Sequence, residues 1–166
     1  MDKQKLLKEL KEKFNKLKEE YKFKATYEEI EELTFIEDQV LNEQYVSENF
    51  RVQLITRLVD SYGGWLGLLH NWMFPNPHDL IILKESKSLT DEQKKEITQV
   101  TKKIIYFIRK SKIIIFQDKS NTGKFIDEIV SYKKEFYNFL MKYHKHFSEF
   151  WQRSDEEEWK KTPDYL

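Results

Sequence analysis

The chain has 166 residues, enough for one domain to bury about two-thirds of its unfolded surface without metals or disulfides. Its 29 basic and 29 acidic residues cancel, which removes any bulk attraction for nucleic acid, and the absence of cysteine excludes disulfides, thiolate nucleophiles and Cys-ligated metals. Aromatics at 15%, with only four Gly and three Pro, exclude a disordered chain and a turn-rich all-β fold.

Residues 3–22 predict a first helix. Leu7, Leu10, Phe14, Leu17 and Tyr21 recur at spacings of three and four among Lys and Glu. Such a thin heptad stripe suits a peripheral helix or a coiled-coil partner. A second helix is expected over 26–48. Thr26 and Glu29 have capping-box spacing, in which hydroxyl and carboxylate satisfy free amides of the first turn. Residues 25–48 hold eight acids and no Lys or Arg, whereas residues 1–24 hold nine Lys against five acids. Two antiparallel helices of opposite sign are the simplest use of that contrast.

The third helix is expected over 49–73, stopped by Pro75-Asn76-Pro77. Residues 78–88 form a connector with a short apolar run, Leu80 to Leu83. The fourth helix spans 90–116 behind a Thr90/Gln93 capping box, with Ile113 to Phe116 as its buried end. Gln117 to Gly123 reads as a turn, because Asn121-Thr122-Gly123-Lys124 lacks the first glycine and the strand of a phosphate loop. The fifth helix covers 124–152 and carries much of the core, with eight aromatics among the twenty residues 132–151. Ser154 with Glu157 has the spacing to cap one last short turn. The expected architecture is all-α: a single domain over 1–166, an antiparallel helical bundle of four long helices plus one shorter helix or terminal turn.

Residues 49–83 differ from the rest. Only Arg51, Arg57, Asp60 and Asp79 are charged in that stretch, and three of the four glycines lie there. On a helical wheel, Gln53, Thr56, Arg57, Asp60, Gly63, Gly64, Gly67, His70 and Asn71 share the side opposite the apolar one. Each helical Gly costs roughly 1 kcal/mol relative to Ala, so the cluster needs a cause. Either another helix crosses there, or the missing side chains leave a groove for a ligand or partner, or the helix kinks. A ligand or partner site would use Arg57, Asp60, Gly64, Gly67, His70 and Asn71. His78 lies across the proline turn and, with His70 and Asp79, is a candidate acid–base or metal cluster of low specificity.

No catalytic signature is complete. Glu-x-x-His and His-Glu-x-x-His are absent, and His144 and His146 fall on opposite sides of their helix. Residues 84–124 carry eleven basic and five acidic residues, and Lys95, Lys102 and Arg109 share a helix face that could touch phosphates, with Lys103 and Lys110 beside it. No cofactor or metal is expected. The longest apolar stretch, Trp65 to Phe74, is too short to span a membrane, and the opening residues lack a signal-peptide core. The chain is therefore expected to be cytoplasmic, off the membrane, and more adaptor than enzyme. Its partner would be a protein, or a second copy, held by the glycine-bearing face of 49–73 or the stripe of 3–22. Small-ligand binding or catalysis around Arg57, Asp60, His70 and His78 is the first alternative, and nucleic-acid binding by 90–116 the second.

Overall fold

The computed structural model describes residues 3–153, and every regular element in that range is helical. In chain order these are α1 (Lys3–Tyr21), α2 (Tyr27–Thr34), α3 (Ile36–Glu43), α4 (Phe50–Gly63), α5 (Leu66–Met73), α6 (Leu80–Ser88), α7 (Asp91–Phe116) and α8 (Thr122–Arg153), with a 3-10 turn at Lys119–Asn121. The Ser154/Glu157 cap lies outside the described residues.

Both capping boxes form as their residue types dictate. The Thr26 hydroxyl accepts from the Glu29 amide while Glu29 accepts from the Thr26 amide, and Thr90 and Gln93 do the same. Two expected long helices are instead broken. The second breaks at Phe35, whose φ of 50° is left-handed. Just before it, the Thr34 hydroxyl donates back to the Ile30 carbonyl, and the Glu37 amide then finds the Glu31 carboxylate. The third breaks after Gly63. Gly64 and Trp65 stay right-handed, but the Trp65 amide tightens onto the Tyr62 carbonyl and redirects the chain. The connector also becomes a helix, α6, capped by the Asp79 carboxylate on the Ile82 amide.

One hydrophobic cluster joins α1–α5, α7 and α8. Tyr62 packs against Phe107, Tyr132 and Phe136, and its hydroxyl donates to the Ile129 carbonyl at 2.9 Å. Its burial holds the phenol neutral by pushing the pKa far up. Trp72 stacks on Tyr143 one layer further along. Helices α7 and α8 run antiparallel: Lys103 pairs with Glu128, and Glu96 with Lys142. Helix α4 is antiparallel to α7, since Arg51 reaches Ile114 whereas Gly63 lies against Ile108.

The stripe on α1 points inward. Leu10, Phe14 and Leu17 are buried, but Leu6 takes the place expected of Leu7, which is half-buried like Tyr21; the chain's own core thus occupies the surface expected for a coiled-coil partner. Nor does α1 answer the acidic α2–α3 with ion pairs. Its pairs run within the helix, Lys8–Glu12 and Lys13–Glu9, and Lys13 also donates to the Val46 and Ser47 carbonyls. Glu32 of α2 pairs with Lys133 of α8 instead.

Candidate binding surface

The outer side of α4–α5 positions most of the residues singled out from sequence. Asp60 lies in the last turn of α4, Gly64 at its C-cap, Gly67 and Asn71 one turn apart on α5, and Phe74 at the α5 C-cap, and all are exposed. No helix crosses them. A Cβ built at Gly67 would have nothing within 4 Å, and one at Gly64 would only touch the Asp60 carbonyl at 3.7 Å. Gly63, half-buried, would meet the end of Ile108 at 3.8 Å, an ordinary contact. None of these glycines has a positive φ, so the backbone does not demand glycine either. The expected crossing helix is absent, and the strip is open.

One end of the strip opens into a cavity of about 300 Å³. It is lined by Leu33, Thr34 and Phe35 of the α2–α3 corner, Arg57, Asp60, Ser61 and Trp65 of α4 and its C-terminal turn, and Tyr137 of α8. Arg57 is half-buried. One of its terminal nitrogens donates weakly to the Thr34 carbonyl at 3.4 Å, while its Nε is shielded from solvent and has no hydrogen-bond partner. A guanidinium N–H left in that state costs about 1–3 kcal/mol and is available to an incoming acceptor. Asp60, one turn on, is exposed and forms no ion pair with Arg57. Phe35 stands at the cavity with 61% of its surface exposed and a left-handed backbone. That conformation costs an L-residue roughly 1–2 kcal/mol. Strain of this kind persists where surroundings over-determine it, and it concentrates at binding sites.

The histidines do not line this cavity. His70 is exposed, with its ring 5.3 Å from Phe74, and neither it nor His78 lines the cavity. The His78 amide closes the Asn76 turn, and Asp79 is spent capping α6. The acid–base cluster expected of His70, His78 and Asp79 is therefore not assembled. No group of three His, Cys, Asp or Glu suited to a metal occurs among the described residues.

On α7, Lys95, Lys102 and Arg109 are exposed as the helical spacing implied. Lys103 and Lys110, expected beside them, both turn to Glu128 at 2.8 and 2.9 Å. That cross-link neutralises part of the basic face. Ile113 and Phe116 are also outside, not in the core as expected, because the buried line of α7 at this end is Phe107, Ser111 and Ile114.

Sequence reasoning missed Phe35, Trp65 and Tyr137 as cavity residues. Trp65 and Tyr137 read as core aromatics by spacing, and nothing near Phe35 marks a left-handed corner. No helix in the described residues is long and apolar enough to cross a membrane. No known family model matches the chain, and neither the curated proteins nor the solved structures hold a match.

Proposed function

We propose that the chain is a non-catalytic binding protein that holds a protein partner along the outer side of α4–α5. The partner lies over Gly64 and Gly67, with the Arg57 cavity at one end and Phe74 at the other. The observation that carries this reading is Gly67, a helical glycine with open space where a side chain would stand. Neither packing nor backbone conformation accounts for it, and an exposed helix position otherwise favours Ala, Lys or Glu. A partner backbone approaching closely supplies the missing cause.

The ends of the strip support the same reading. Arg, Trp and Tyr dominate interface hot spots, and Arg57, Trp65 and Tyr137 share one cavity. The unpaired Nε of Arg57 suits an acceptor on the partner, a carboxylate or a backbone carbonyl. Catalysis at this surface is disfavoured, because the Ser61 hydroxyl donates to the Leu58 carbonyl rather than to a base.

Selection of a displayed peptide library on the purified protein tests the proposal. Enriched peptides are expected to lose at least about tenfold in affinity, roughly 1.4 kcal/mol, on Gly67→Lys and on Arg57→Gln. Circular dichroism confirms that both variants remain folded. Peptides that bind both variants as tightly as the wild type would remove α4–α5 as the recognition surface.

A further inference from the structure

The C-terminal half of α7 carries a second surface, independent of the α4–α5 strip. At 100° per residue, Lys102, Ile105, Arg109, Lys112, Ile113 and Phe116 fall within a sector of about 100°. All six are exposed, and Phe116 at 76% and Ile113 at 53% face solvent most openly among its apolar members. Residues 97–117 contain no Asp or Glu. Lys102, Arg109 and Lys112 make no ion pair within 4 Å among the described residues, unlike Lys103 and Lys110. Interleaved cations and large apolar groups make a poor solvent face. They match an occupant that interleaves acids with apolar groups.

This chain itself presents such an occupant. Residues 25–48 hold eight acids and no Lys or Arg. Of those acids, only Glu32 has an ion pair among the described residues, to Lys133. Tyr45 stands exposed among them, at 53%. The Glu31 carboxyl is held above its ordinary range by burial first, against the pull of the Glu37 amide bond, with Glu37 and Asp38 adding repulsion. A cationic surface brought against these acids would relieve that repulsion. Within the described residues Lys13 of α1 reaches the Val46 and Ser47 carbonyls of this segment, but Lys133 alone is ion-paired to its acids.

We propose that the chain self-associates head to tail, with the acidic α2–α3 segment of one copy docking on the Lys102–Phe116 face of α7 in the next. Such a contact is heterologous, so it closes into a ring or continues as a filament. Its long-range attraction is electrostatic and therefore screened by salt.

Sedimentation of the full-length chain, alone and in mixtures, tests this. The first variant carries Lys102→Gln, Arg109→Gln and Phe116→Ser, which disable the α7 face. The second carries Glu28→Gln, Asp38→Asn and Tyr45→Ser, which disable the acidic face. Wild-type protein is expected to grow in mass with concentration at low salt and to fall towards monomer at about 1 M salt, where screening reaches within about 3 Å. Each variant alone is expected to be monomeric and folded by circular dichroism. An equimolar mixture is expected to form a 1:1 dimer and stop, since only one intact interface remains per pair. Wild type that stays monomeric up to about 1 mM overturns the proposal. So does association that survives in either variant alone, or a mixture that does not dimerise. The α4–α5 binding reading stands or falls separately, on its own peptide selection.

Discussion

Gly123 sits in the first turn of α8 with the α1 terminus laid across it. A Cβ there would overlap the Tyr21 carbonyl oxygen and crowd its carbonyl carbon. Both obstacles are backbone, held by the Lys24 and Ala25 amides that donate to Asp127 at 2.8 and 2.9 Å. Gly123→Ala is therefore expected to cost about 2–3 kcal/mol, read as a lower urea midpoint. In the sequence this glycine reads as a turn, because close approach by a segment 100 residues away leaves no local mark. Phe35 runs the other way. Its left-handed backbone is strained and its side chain is mostly wet, so Phe35→Gly removes strain and little packing. A gain of about 1 kcal/mol in urea unfolding is expected, together with weaker peptide binding at the Arg57 cavity. A loss of stability would show that Phe35 serves the fold.

The pairing of α7 with α8 rests on buried rings edged by ion pairs. Glu128 sits between Lys103 and Lys110, and Glu96 accepts from Lys142 and from the Tyr143 hydroxyl. Burial alone would raise both carboxyls, but the bonds from these partners hold them below their ordinary value of 4.5. A carboxyl that binds its proton less readily when folded adds stability above that value and loses it as pH falls through its folded value. Glu31 acts oppositely, since its raised affinity for a proton makes acidification favour the fold. Stability measured below about pH 4.5 is expected to fall less steeply in Glu128→Gln than in the wild type. An unchanged acid limb would contradict the role given to this cross-link.

Helices themselves were legible where local chemistry sets them. Thr26, Thr90 and the Pro75–Pro77 stop mark their boundaries, because caps and prolines act within one turn. The corner at Phe35 was not legible, since neither glycine nor proline marks it. The glycines at 63 and 64 admitted a break but equally a crossing helix. Arg51 illustrates the same limit. It is buried, has no carboxylate partner among the described residues, and donates to the Ile114 and Ile115 carbonyls and the Thr122 hydroxyl. There its charge meets the negative end of the α7 dipole, a role that only the packed α4–α7–α8 junction reveals.

At the scale of the whole molecule, periodicity separated inward from outward faces on α1, α4 and most of α8. It misassigned the end of α7, where Ile113 and Phe116 look like core but lie outside. Composition also isolated residues 49–83 as unusual, and the structure places much of that anomaly on one open strip. Arg57 and Asp60 line the cavity there, whereas His70 stands beside Phe74 at the other end of the strip and His78 follows the Asn76 turn. The central claim is that Gly64 and Gly67 answer to something outside the molecule. Thermal unfolding of the Gly64→Ala, Gly67→Ala double variant tests it most directly. With open space at Gly67, and an ordinary contact and helical dihedrals at Gly64, the variant is expected to gain about 1–2 kcal/mol and to melt roughly 2–8 °C higher. A melting temperature below that of the wild type would show that the fold itself needs these glycines, and the partner surface would lose its foundation.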